Sequence, residues 1–463
     1  METKNAPLYC KTDILVCGGG TAGTFAAIAA AEQGKNVLLV EQFGSLGGTP
    51  TNGLTTPLMG THIQEEPHCS YITEKLNEKM IRYGGMDAET KRMFDPVILK
   101  IVLEEMCEEA GVTVLLHTFV ADVVREGPKV SAVVIANKKG LQRIEADYYI
   151  DATGDGDVCV FAGAEYRKGN PEMGGKNQPI SLRYIIGNID IQALSKFTKE
   201  EMDRTGIHLG AVLSDWRTGK ETYYASVTAA ADCTFTEIFK KAIANGHLTE
   251  DDLAYWQVFS IPGRNDSLAY NNPEFFDCVD GTDPRHLTFT QIQGRKRIMR
   301  HLAFYKKYMK GFDNAYISDI AAQVGVRESR NITAEYVITG EDLIAKRKFK
   351  DHFSQSNYPV DIHGRQLDFK EREGYIDDGK PWYEVPYRSL VVKGIDNLFV
   401  CGRCLGAEFL AEAALRIQIT MRSSGEAAGI AAAMAMDLKI LPREINGIDV
   451  RNTMKEKGAV FLD

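Results

Sequence analysis

Between Val326 and Cys404 the chain gathers side chains that can grip an anion and move a proton: Arg327, Arg330, Tyr358, Asp361, His363, Tyr387, Arg388 and Arg403. Imidazole titrates near neutrality, so His363 is the natural acid or base. Tyr358 or Asp361 can orient it or share its proton. Arg327, Arg330 and Arg388 carry the planar donor fork that holds a carboxylate through two bonds. Structural readings compete. Arg327-Glu328-Ser329-Arg330 also fits an interdomain salt bridge, and Asp361 and His363 alternate along an expected strand. Cys401-Gly402-Arg403-Cys404 reads either as a redox disulfide or as two buried thiols.

Such groups need a frame, and its start is legible in Ile14-Leu15-Val16-Cys17-Gly18-Gly19-Gly20-Thr21-Ala22-Gly23. An apolar strand runs into glycines at 18, 20 and 23, and an alanine-rich helix follows to Gln33. Asn36 to Val40 reads as a second, parallel strand ending on Glu41 and Gln42. Gly18 permits the turn, Gly20 lets backbone approach a pyrophosphate, and Gly23 seats the helix against the strand. The first amides of the helix, at Thr21 and Ala22, face the phosphates. Glu41 is placed to accept from a ribose hydroxyl pair. Strand, helix, strand and acidic end together specify a dinucleotide site.

Composition narrows the setting. With 463 residues, 44% of them hydrophobic and 25% charged, the chain has ample material for a large globular core. A net charge of −9 argues against nucleic acid or an anionic membrane as partner. Met1 to Lys11 is polar, without the apolar centre of a signal peptide, and the most apolar stretches are rich in Gly and Ala. Nine cysteines, an odd number, then read as reduced thiols in the cytoplasm. No His/Cys cluster has zinc spacing, so no metal is expected.

Further along, helices are expected over 71–83, 95–111, 198–204, 234–245 and 291–310, and one long helix over 414–436. Strands are expected over 112–117, 119–125, 129–136, 144–150, 179–190, 256–262, 333–338 and 397–402. The basic residues of 291–310 read as a solvated helix face. Three segments, 14–23, 146–157 and 397–406, each deliver glycine or a small polar residue at the end of an apolar strand. In a doubly wound sheet those ends share one edge. Three of them suit one extended cofactor.

These features resemble a known family. Gly18-Gly19-Gly20-Thr21-Ala22-Gly23 with Glu41, Leu46-Gly47-Gly48, and Asp151-Ala152-Thr153-Gly154-Asp155-Gly156-Asp157 are similar to the FAD-dependent oxidoreductases of the glutathione-reductase structural group. The narrower likeness is to a bacterial FAD-dependent oxidoreductase family. It rests on Val326–Arg330, Tyr358–His363, Val385–Leu390 and Gly394–Cys404 in that order, and runs from about residue 12 to 436. More distantly the layout resembles succinate dehydrogenase and fumarate reductase flavoproteins.

The resemblance implies noncovalent FAD. It implies that Gly47, Gly48 and Thr51 pass near the ribityl chain and flavin, and that Val120 meets adenine. Thr153 and Gly154 would lie on the adenine side, with Asp155 or Asp157 near phosphates or ribityl. Gly402, Arg403, Arg416, Gln418 and Ile419 would approach the ring, where a helix N-terminus and a cation stabilise a reduced flavin. Cys401 and Cys404 stand in the wrong place for a thioredoxin-reductase-like disulfide, which favours buried thiols.

The expected architecture is α/β: a discontinuous Rossmann-type FAD domain (10–62, 93–165 and 375–440), an inserted mixed α+β substrate domain (166–374), and a C-terminal tail (441–463). The expected activity is hydride transfer between FAD N5 and a small polar molecule, carboxylate-bearing or polyhydroxylated. Rivals are reduction of activated C=C bonds and a non-catalytic flavin-binding assembly or sensor. Without a second glycine-rich nucleotide turn, electrons would come or go through a small molecule or an unidentified partner protein. The sequence is compatible with a homo-oligomer.

Overall fold

The computed structural model describes residues 5–60, 63, 69–170, 174–208, 211–215, 221–229, 231–276, 280–363 and 382–463. The domain boundaries expected at 62 and at 374/375 lie outside these residues.

A first sheet contains β1 (Leu8–Cys17), β2 (Val37–Val40), β3 (Thr113–Leu115), β4 (Phe119–Glu126), β5 (Lys129–Asn137) and β6 (Gly140–Asp151), in the order β3-β2-β1-β6-β5-β4. The strand Leu398–Val400 also pairs with β6. β6 is long enough to have two partners on one edge: Leu141 and Ile144 pair with β5, whereas Tyr149 to Asp151 pair with Leu398 to Val400. The pairings among β3, β2, β1, β6 and Leu398–Val400 are all parallel. Their C-terminal ends therefore fall on one edge.

Burial on both faces fits a parallel sheet. Ile14 and Val16 of β1 enter one core with Val37 and Leu39 of β2, while Leu15, Cys17, Leu38 and Val40 enter the core behind it. Helices α1 (Thr21–Ala31), α2 (Tyr71–Arg82) and α3 (Pro96–Glu109) cover the first face. Asp95 caps α3 and Pro96 fills its first position.

The inserted region has its own core. Its antiparallel sheet has the order Ala211–Asp215, Glu221–Thr228, Tyr255–Ile261, Arg264–Tyr270, Tyr184–Gly187, Tyr316–Ile320. Leu194, Phe239, Ile298 and Phe304 from three helices pack on it. That core extends to Ala321. Beyond it, Ile338, Leu343 and Phe353 join the core of the first sheet, so packing returns to the first domain well before residue 374.

Three local expectations are corrected. Residues 333–338 form no strand; Ala334 and Ile338 make isolated bridges to Val392 and Ala407, and the strand is Arg330–Ile332. The long helix expected over 414–436 is two, Phe409–Leu415 and Gln418–Leu438, because Ile417 is extended at ψ 145°. Residues 441–463 are no tail. Asn446 caps a helix over Gly447–Glu456, whose Val450 and Met454, four apart on one face, enter the core with Phe461.

α1 and the helix Gln418–Leu438 meet backbone to backbone. A Cβ on Gly425 would stand 2.0 Å from the Ala22 carbonyl oxygen, and one on Gly429 would stand 2.2 Å from that of Ala26. No side chain fits there. Gly429→Leu is expected to lower stability by at least about 2 kcal/mol, the usual scale of overpacking, and to release the cofactor as the helices part. Thermal melting with flavin content as a second readout checks this; an unchanged midpoint would refute it.

Candidate functional site

A cavity of about 440 Å³ opens along the common strand edge. Gly18, Gly20, Thr21, Ala22, Glu41, Gln42, Val120, Thr153 and Gly154 line it, with Gly48, Gly402, Arg403, Ile417 and Gln418. Gly18 takes φ +99°, and a Cβ there would lie 2.4 Å from the Ala152 carbonyl oxygen. A Cβ on Gly23 would lie 1.8 Å from the Gly18 carbonyl oxygen. Gly20 differs: its φ is −73°, open to any residue, and nothing stands nearer than 4.0 Å to an added Cβ. Its missing side chain serves the space in the cavity, not the protein's packing.

Two helix N-termini reach this space. α1 starts after Gly20, which has no side chain to cap it, and the helix Gln418–Leu438 starts after Ile417, also without a side-chain cap. Their first amides make a setting for negative charge. Glu41 is held by backbone, accepting from Gly19 N at 2.7 Å and Phe43 N at 2.8 Å. Burial raises its pKa, and these bonds oppose the rise. Asp151 accepts from Thr153 N, Thr153 Oγ1 and Cys159 N, which fixes the turn after β6.

At the other end stand Arg183, Tyr255, Gln257, Asn271, Arg327, Tyr358, Asp361, His363 and Arg416. Behind them lies Glu274, its side chain fully buried. Arg327 Nη2 donates to Glu274 Oε1. His363 Nδ1 stands 2.8 Å from the same oxygen, and His363 Nε2 is 3.5 Å from Asp361 Oδ2. Arg416 Nη2 donates to the Asp361 carbonyl at 2.8 Å and to Oδ2 at 3.0 Å. Burial disfavours charge on both carboxylates, but Arg327 and His363 outweigh it at Glu274, and His363 and Arg416 at Asp361; both pKa values fall below the usual range. Tyr255 packs edge-on to His363, centroids 4.7 Å apart. Burial, then Arg327, pulls Arg183 down to about 9.

The family model described as FAD dependent oxidoreductase matches residues 13–454. The chain belongs to this family. Thiamine thiazole synthase of Aeropyrum pernix is 32% identical over 168 residues, 34% of this chain and 60% of that protein. Urocanate reductase of Eggerthella lenta is 34% identical over 98 residues, 21% of this chain and 15% of that one. The chain spans less than two thirds of the length of these curated relatives. Among solved structures, p-nitrophenol 4-monooxygenase of Pseudomonas putida has a TM-score of 0.50 at 8% identity, over 96% of this chain and 86% of that one. That likeness is one of fold. The cofactor of this flavoprotein is FAD, and the cradle fits it, with glycine where a pyrophosphate needs room and a held carboxylate at the end of β2.

Several residues singled out from sequence stand away from the cavity. Arg388 is half exposed and paired with Asp351 at 2.9 Å, so it cannot clamp a ligand here. Arg330 is committed to Asp157 at 2.5 Å. Burial and the neighbouring Asp155 and Asp151 raise Asp157 to about 6, against the pull of Arg330; it does line the cavity. Asp155 accepts from Arg403 Nη2 and Ser329 Oγ. Gly47 and Thr51 shape the loop: Gly47 takes φ +100°, and Thr51 Oγ1 donates to the Leu46 carbonyl at 2.6 Å. Ile419 packs against the core. Arg416 does not start a helix but follows one and precedes the next, which lets its side chain reach Asp361. Asp361 and His363 sit in a loop, not a strand. Cys401 and Cys404 are free and fully buried, with thiols pushed up by burial, and Cys404 Sγ faces the Cys401 carbonyl at 3.5 Å. That is the buried-thiol reading. Among the described residues no His/Cys/Asp/Glu group could hold a metal, and no helix is long and apolar enough to cross a membrane.

Sequence reasoning missed Arg183, Tyr255, Gln257, Asn271 and Glu274. One signal was present: Arg183 interrupts the otherwise apolar run Leu182–Ile186.

Gly20 gives a clean test of the cradle. The Cβ of Gly20→Ala would meet no protein atom nearer than 4.0 Å, so the apoprotein should melt within about 1 kcal/mol of the parent, as for a neutral surface change. FAD affinity should fall at least roughly tenfold, the equivalent of about 1.4 kcal/mol. Flavin retention on gel filtration with apoprotein melting separates the two. Full flavin retention would refute the placement.

Proposed function

We propose that this flavoprotein transfers a hydride between a small carboxylate-bearing molecule and FAD, with His363 as acid or base. Within the family, the ordered motifs support placement beside the glutathione-reductase structural group. Gly18, Gly20, Thr21, Ala22 and Glu41 would hold the pyrophosphate and ribose of FAD. Gly48, Gly402, Arg403 and Gln418 would line the flavin end. When bound, FAD supplies the hydride acceptor or donor.

The chain's own residues do the rest. His363 Nδ1 faces Glu274, which orients the ring and leaves Nε2 to exchange a proton with substrate. Asp361, fixed by Arg416, stabilises a positive imidazole. Tyr255 packs edge-on against the imidazole and narrows the space beside it. The observation that carries the reading is an imidazole held between two ionised carboxylates in the cavity of an FAD protein. One observation favours the reverse direction, reduction of an activated C=C bond. His363 lines the same cavity beside Asp361 and, once protonated, can deliver the proton that such a reduction consumes.

Anaerobic mixing with hydroxy acids, sugars and amines is expected to bleach the bound flavin with at least one carboxylate. His363→Gln should retain FAD yet lose about 10²–10⁴-fold in flavin reduction rate, along with one limb of the pH profile. If no compound bleaches the flavin while the dithionite-reduced protein is reoxidised by an enoate, the direction is reduction. A rate for His363→Gln within threefold of the parent would sink the acid–base assignment.

A further inference from the structure

The arginines at the substrate end are not equivalent. Arg327 is tied to Glu274 and to the Pro179 carbonyl, and Arg416 is tied to Asp361. Three guanidinium groups thus face two carboxylates, which leaves one positive charge unmatched when His363 is neutral. Arg183 carries it. Arg183 is 5% exposed, and its Nε donates to Asn271 Oδ1 at 2.5 Å. Its Nη1 is buried with no partner. Asn271 is fixed in turn, its Nδ2 donating to Tyr255 Oη at 3.0 Å and Gln257 Oε1 at 3.2 Å. The amide–phenol wall aims the guanidinium and satisfies one edge only. A buried cation without a carboxylate partner is costly, so a guanidinium held at a cavity wall is a place for a ligand's counter-charge.

Gly325 points to the same place. A Cβ there would lie 2.2 Å from Arg183 Nη1 and 2.9 Å from Ser181 Oγ, another buried atom without a partner. Its φ is outside the left-handed region, so the backbone does not call for glycine. The glycine makes room for the guanidinium at the cavity wall, which both residues line.

We infer that this end of the cavity takes a singly charged carboxylate, held by Arg183 where its guanidinium lines the cavity wall beside Gly325. The inference rests on the oxidoreductase reading above and deepens it. Arg327 and Arg416, already neutralised, position His363 and Asp361; Arg183 chooses the substrate. A dianion would meet only one unmatched charge and would have to desolvate its second carboxylate against Glu274 and Asp361. A neutral amide would leave the cation uncompensated.

The test titrates FAD-loaded protein with acetate, glycolate, malonate and acetamide, following the flavin absorption band. Acetate and glycolate should perturb it saturably, malonate no more tightly than acetate, and acetamide far more weakly. Arg183→Gln should weaken glycolate roughly tenfold or more, and Arg183→Lys less, because a lysine keeps the charge and loses the fork. Gly325→Ala should reproduce the loss with flavin content unchanged. Equal affinity for acetate and acetamide, tighter binding of malonate than of acetate, or undiminished glycolate binding in Arg183→Gln would each overturn the inference. The two readings fail separately. Carboxylate binding through Arg183 with no compound able to exchange electrons with the flavin defeats the oxidoreductase reading alone. Flavin bleaching by a substrate indifferent to Arg183 defeats this inference alone.

Discussion

The backbone contact between α1 and the helix Gln418–Leu438 is the constraint on which the site depends. Segments some four hundred residues apart in sequence touch through Gly425 and Gly429 against the carbonyls of Ala22 and Ala26. Fully buried alanines, among them Ala26, Ala27, Ala428 and Ala432, fill the rest of the contact. This approach keeps two helix N-termini at one cavity, one beside the glycine turn and one beside Arg416. Bulky side chains would hold the helices at the usual separation of about 8–10 Å or more, and the second N-terminus would no longer be fixed beside the first. The electrostatics of the cofactor end thus follow from a packing choice made in the helix interiors.

The far end of the cavity rests on a different principle. Burying ions is costly unless each is paired. Glu274 and Asp361 are fixed counterions set behind or beside the groups that face the cavity, and they serve more than one partner each. Glu274 Oε1 meets both Arg327 and His363; Asp361 Oδ2 meets both Arg416 and His363. The imidazole therefore joins two ion pairs that would otherwise be separate. Movement of any member shifts the others, which ties the position of the imidazole to that of Asp361.

The frame was legible because backbone rules produced it. A strand, a glycine turn and a helix at 14–31 have a local cause, and so do the alternating strands at 119–136. The break at Ile417 was not legible: Ala, Leu and Gln on either side are good helix formers, and nothing local marks the extended residue between them. The helix at 447–456 was passed over because its apolar face is just Val450 and Met454. The arginines were legible as a class but not as individuals. Arg388 and Arg416 look alike in sequence, yet one meets Asp351 at the surface and the other Asp361 in the cavity. Arg183 was overlooked because it sits in the short link between Ile180–Ser181 and Tyr184–Gly187, and packing rather than a local motif carries it to the site.

The division of labour along the cavity follows from where each wall comes from. The cofactor walls belong to the parallel sheet and its helices, whose strand ends can hardly vary without unseating Gly18 or Gly402. The opposite wall is assembled from the inserted sheet, through Tyr255, from the residues flanking its strands, Arg183 and Asn271, and from two loops, through Arg327 and His363. Changes in the inserted sheet can re-aim a guanidinium or reshape the amide wall without touching the sheet that holds FAD. An insertion of this kind lets one flavin frame serve different small molecules. It also explains why a motif that recognises the cofactor so clearly carries no information about the substrate: the two are written in separate cores, and only the cavity between them reads both.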